Sequence, residues 1–235
     1  MTEATAPSSG KAGPADLIEI FYAPRAVFER RQDGKFGMPY VALVVLGAIL
    51  YIASRNLIQP LFETMIDQSM AAAVASGKMT QAAATQAAPM AKTVTSVFLL
   101  LFYVVAPFLV GLFVWLMGKI VKLEAIGTVA MVIAVFSLYP RLIGSVIAAA
   151  LAAVVPEGSS ITAISTSPAR FVDVAHSPGL AAFLGRFDIF ILWGIVLIAI
   201  GVQSAARGTK GQAWTIAIGV WVIGSLQAIW ALIRS

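Results

Sequence analysis

Long apolar runs separated by short polar clusters dominate the chain. A helix needs roughly 20 mostly apolar residues to cross a hydrocarbon core of about 30 Å. Residues 39–58, 94–118, 126–155, 187–204 and 213–233 come near or past that length. They predict an all-α fold, a polytopic transmembrane helix bundle of about five spans. The stretch 126–155 is long: as one straight helix it would measure about 45 Å. Tyr139-Pro140-Arg141 interrupts it. Pro140 has no N–H and clashes with the preceding turn, so the third span is expected to be kinked there. A pair of half-helices that dip in and return is the alternative, and the pattern alone does not choose between them. Arg141 does not forbid insertion. A central Arg costs roughly 3 kcal/mol, while the fifteen Ile, Val, Leu, Phe and Met residues from Ile126 to Val155 contribute about −6 kcal/mol.

The polar stretches carry patterns of their own. Residues 1–15 are a Pro/Gly/Ser/Ala tail with little to bury, and are expected to be disordered. Residues 16–37 form an amphipathic segment. Leu17, Ile20, Phe21, Pro24 and Phe28 fall on one side, and Pro24 predicts two short helices meeting near Ala23. Arg25, Arg30, Arg31 and Lys35 add a basic edge. Such a segment suits the cytoplasmic headgroup layer, with Phe21, Pro24, Arg25 and Phe28 as candidate interfacial anchors. A helix packed under the bundle, with Phe21 and Phe28 in its core, fits equally well. No apolar h-region precedes residue 38, so the first span is expected to act as an uncleaved anchor. The transmembrane domain then runs over 38–235.

Within that domain, residues 60–89 read as a helical outer loop. Apolar positions recur every four residues to Gly77, and Thr80 can cap a second helix that stops before Pro89. A plain extension of the first span is the competing reading. Residues 156–183, rich in Pro, Gly, Ser and Thr, read as an irregular outer loop. It contains His176, the only histidine, which is read as a solvated residue.

Composition sharpens the class. Hydrophobic residues make up 60% of the 235 residues and charged ones 11%, against about a quarter charged in a soluble domain. That excludes a disordered chain, an ordinary soluble enzyme and a nucleic-acid-binding module. The net charge of +5 comes from Lys and Arg at the ends of apolar runs, where they act as orientation signals. With five spans, nine of these cations fall on the side of the amino terminus and five on the other. The positive-inside rule then places the protein in the cell inner membrane with a cytoplasmic amino terminus and a carboxyl terminus outside.

Candidate chemistry is sparse. Without cysteine there is no disulfide, thiolate nucleophile or Cys-ligated metal. Neither a phosphate-binding Gly-rich turn, a metal-spaced His/Asp/Glu cluster nor a triad is present, so no enzyme activity and no cofactor is expected. Ionisable residues at membrane depth are functional candidates by default. These are Arg141, Asp188 and Arg55, although Arg55 can snorkel. Arg141 paired with Asp188 would line a polar cleft, which would suit a small transporter or channel. Gly144, Ala148 and Ala152 repeat every four residues and let helices approach closely. The expected partners are the lipid bilayer and other membrane proteins or a second copy of the chain, with no nucleic acid.

Three features stand out: Ile20-Phe21-Tyr22-Ala23-Pro24-Arg25-Ala26-Val27-Phe28 before the first span, Leu138-Tyr139-Pro140 within the third, and the order of spans with a tight turn from Arg207 to Gly211. Together they resemble the Yip1 family of membrane proteins in its short bacterial form. The resemblance implies a five-helix membrane bundle with a cytosolic amino terminus. It further implies a membrane-organising, scaffold or trafficking-like role. Eukaryotic members bind small GTPases through a longer cytosolic region than the one present here.

Overall fold

The computed structural model describes residues 11–156, 158–174 and 176–234. Among these, nine α-helices and three short 3-10 helices account for the regular structure, and there is no strand. The α-helices are α1 (Asp16–Glu19), α2 (Pro24–Arg30), α3 (Gly37–Ala75), α4 (Gln81–Ile120), α5 (Ile126–Ser137), α6 (Tyr139–Ala152), α7 (Pro178–Leu184), α8 (Ile189–Ser204) and α9 (Lys210–Arg234). Four stretches are long and apolar enough to cross a membrane: α3, α4, the 27-residue α5–α6 stretch and α9. Counting Pro178–Phe187 and α8 together as one broken span gives five. The chain is a multi-pass helical membrane protein.

The third span is broken where the sequence predicts. Pro140 is the second residue of α6, and the ladder yields at Leu138. There the Leu138 N–H donates to the Val135 carbonyl and the Arg141 N–H to the Leu138 carbonyl. Both are three-residue bonds, the tighter turn expected where a proline ring excludes the carbonyl four residues back.

Some element boundaries differ from those read in the sequence. The first span and the first part of the 60–89 loop are one helix, α3, which continues through Pro60 to Ala75. In a long apolar helix a single proline removes one bond without ending the helix. α3 does stop at Gly77, whose φ of +70° lets Lys78 N–H reach the Ala73 carbonyl and Gly77 N–H the Val74 carbonyl. Thr80 Oγ1 caps α4 by accepting from Ala83 N–H, but α4 runs on through Pro89 to Ile120. The 156–183 segment carries two 3-10 turns, Ile161–Ile164 and Pro168–Phe171, besides α7. Ser160 and Ser167 cap those turns through their hydroxyls. His176 is exposed beside Asp173, 2.6 Å away.

The chain divides into two compact units. The first comprises the chain up to Val44, Val105–Arg141 and Phe190–Leu226. Its centre is α5, which is apolar on every face and buried over most of its length. Phe136 stacks on Tyr139 at 5.4 Å and meets Phe28 edge-on at 6.0 Å. Gly194 brings α8 against α5: a Cβ there would lie 2.6 Å from the Ser137 carbonyl oxygen. The second unit comprises Val45–Val104, Leu142–Ile189 and the chain from Gln227. In it Gly47 admits the Tyr103 ring, and the Tyr103 and Ser145 hydroxyls share a hydrogen bond of 3.1 Å. Asp67 and Lys92 join α3 to α4 at 2.9 Å.

Candidate functional site: the clamped amino-terminal segment

Four charges close together in sequence end up largely inside the first unit. Ala23 breaks the helix before Pro24, so α1 and α2 fold back on one another. That brings Asp16 and Glu19 to Arg30 and Arg31. Asp16 is 1% exposed and Arg31 3%. Arg30 donates to both acids, with 2.6 Å to Asp16. Arg31 Nε donates to Asp16 at 2.7 Å, and its two terminal nitrogens reach the carbonyls of Lys35 at 2.9 Å and Gly13 at 3.2 Å. Gly13 N–H closes the ring by donating to Asp16. The guanidinium also stands 5.4 Å from the centre of the Phe136 ring. The hydrogen bonds that Arg30 donates, to Glu19 first and then to Asp16, raise it above its ordinary range. Buried charges persist only when paired and fully hydrogen-bonded, and here each has partners.

The apolar side of the segment is docked by the same fold. Ile20, Val27 and Phe28 are fully buried. Phe21 meets Trp193 at 5.7 Å and Tyr139 at 6.5 Å. Tyr139 in turn donates its hydroxyl to the Pro39 carbonyl at 2.7 Å. Gln32 donates to the Ser204 carbonyl at the end of α8 and accepts from Arg207. Gly34 completes the seat. Its φ is +77°, and a Cβ would stand 2.2 Å from the Thr128 carbonyl oxygen, so only glycine fits.

A profile of the Yip1 domain matches residues 18–231. The chain belongs to the Yip1 family. Neither a curated protein nor a solved structure matches it. The matched Yip1 domain begins two residues after Asp16, so Asp16 lies outside it while Glu19 and both arginines lie inside.

These positions correct part of the sequence reading. Phe28 cannot serve as a headgroup anchor, because its ring is enclosed in the core of the first unit. Phe21 is committed to Trp193 and Tyr139 in the same way. Pro24 and Arg25 remain at the surface, where they border a shallow groove with Tyr22, Glu29 and Ile200. Disorder through residue 15 fails at Gly13, which the clamp holds by both backbone groups; residues 1–10 lie outside the described residues. The missed signal was the balance of charge: two acids on α1 match Arg30 and Arg31.

Among the intramembrane candidates, Arg141 lies in the first turn of α6 and belongs to the first unit, whereas Asp188 belongs to the second. The Asp188 carboxylate accepts a short hydrogen bond from the Thr166 hydroxyl. Arg55 is exposed on α3. Gly144, Ala148 and Ala152 fall on α6 and are half-buried.

Proposed function

We propose that this Yip1-family protein is a non-enzymatic membrane-organising scaffold of the cell inner membrane. It holds neighbouring membrane proteins along α3 and α4, with its amino terminus cytoplasmic and its carboxyl terminus outside. The observation that carries this reading is a contrast in burial. The most apolar stretch of α5–α6 is 72% buried, but those of α3 and α4 are only 11% and 17% buried. Val97, Phe98, Val105 and Leu109 on α4 are exposed, and Val41, Val45, Ile49 and Ile52 on α3 likewise. In a bilayer such open faces meet lipid tails or other helices, and van der Waals packing against other helices can fill them. The half-buried small residues Gly144, Ala148 and Ala152 offer a second seat for a neighbour.

A photo-crosslinking residue at Val97 tests the reading in the native membrane. Discrete protein adducts are expected at Val97, and none at the fully buried Phe136 position. Lipid adducts alone at Val97 would overturn it. In proteoliposomes, solute flux equal to that of empty vesicles is expected. A flux abolished by Asp188→Asn would instead support a transporter. Orientation is read separately, by labelling a cysteine at position 235 with an impermeant reagent. Labelling from outside alone is expected; labelling from the cytoplasmic face alone would reverse the assignment.

A further inference from the structure

We propose that the groove beside α2 is a binding site for a phospholipid whose headgroup carries a phosphate and a primary ammonium. The groove has a volume of about 410 Å³ and is bordered by Tyr22, Pro24, Arg25, Glu29 and Ile200, all within the first unit. Its charges set it apart. From Asp16 to Lys35 the chain carries eight charged side chains. Asp16, Glu19, Arg30 and Arg31 pair in the clamp, and Asp33 pairs with Lys35 at 2.9 Å. Among the described residues, Arg25 and Glu29 make no ion pair with one another or with any other group. They are the two that line the groove.

Arg25 and Glu29 are four residues apart on α2, so they stand on one face. They present a cation and an anion side by side without neutralising each other. The complement is a ligand with an anion and a cation at a similar spacing. A guanidinium suits a phosphodiester through two parallel N–H bonds. A carboxylate suits an ammonium that still has N–H bonds to donate.

The apolar wall identifies the ligand as a lipid. Ile200 lies on α8, four residues before its end at Ser204, where an apolar helix passes into polar loop. Ile18 and Tyr22 continue the surface, 70% and 75% exposed. Tyrosine with a free face and a polar tip is characteristic of the headgroup layer. The proposal requires only that α8 lies in a bilayer, and stands or falls independently of the scaffold role.

Native mass spectrometry of the full chain in detergent micelles provides the test. Phosphatidylethanolamine, phosphatidylcholine and phosphatidylglycerol of one acyl composition are added at equal concentration. Phosphatidylethanolamine should be retained about threefold over phosphatidylcholine, the gain expected when a solvent-accessible ion pair is also hydrogen-bonded, which a quaternary ammonium cannot be. Glu29→Gln should abolish that preference, lowering phosphatidylethanolamine retention more than phosphatidylcholine retention. Arg25→Gln should lower retention of both. Both side chains are exposed and unpaired, so the melting temperature of each variant should match the parent. Equal retention of the two lipids by the parent, or a preference that survives Glu29→Gln, would overturn the proposal. So would a protein adduct in place of lipid that both variants remove.

Discussion

The amino-terminal clamp and the α3–α4 pair use ionic contacts in opposite ways. In the clamp, Asp16 and Arg31 are removed from water and each of the three guanidinium nitrogens of Arg31 donates to a carbonyl or carboxylate. Between α3 and α4, Lys92 meets Asp67 and Glu63 at partly exposed positions, at 2.9 and 3.8 Å. The first arrangement fixes one geometry, because any displacement strands a charge in a medium that does not solvate it. The second adds little and tolerates movement. The same chain thus has a seat of buried charge at its amino-terminal end and a helical hairpin whose charged contacts add little.

The largest test of that contrast is Asp16→Ala. It leaves Arg31 buried without a carboxylate and Arg30 with Glu19 alone, and should cost about 3–5 kcal/mol, read as a marked fall in melting temperature in detergent. A loss under about 1 kcal/mol would mean that the clamp is solvated, like an ordinary surface pair. Gly34→Ala comes next. Its positive φ and the nearby Thr128 carbonyl predict a loss of about 2–3 kcal/mol by the same measurement, and a neutral outcome would show that the turn can relax. Lys92→Gln should leave the melting temperature nearly unchanged, and raising salt should have as little effect on the parent. A larger effect would make the hairpin the more cooperative region.

The smallest effect is one of pH. Lys35 holds the Asp33 carboxylate below the usual aspartate range. A group whose folded value is depressed stabilises the fold above its unfolded value and loses that contribution as pH falls through the folded one. The melting temperatures of the parent and Asp33→Asn should therefore differ slightly at neutral pH. They should converge as pH drops through the aspartate range and below. A gap that widens toward acid would contradict the pairing.

What the sequence disclosed follows the physics of each signal. Apolar length located the spans, because the cost of placing polar groups in hydrocarbon is large and local. Pro140 located the break because its effect reaches only one turn. Boundaries within α3 and α4 were harder to read, since Pro60 and Pro89 do not end helices that long apolar stretches sustain. The clamp was not legible. Asp16 and Arg31 are fifteen residues apart, and their pairing depends on the fold-back at Ala23 rather than on a helical repeat. Amphipathic spacing showed that Phe21 and Phe28 share a side, but not whether that side faces lipid or protein. Phe136 on α5 and Gly201 on α8 decide that, by supplying the surface on which Phe28 closes.

The position of Gly13 and Asp16 matters for anyone trimming this chain. A version cut to the recognisable domain at Ile18 would discard the only acid that contacts both arginines, as well as the backbone oxygen that steadies one of them. Such a shortened protein is expected to express poorly or aggregate, although every residue of the domain would be intact.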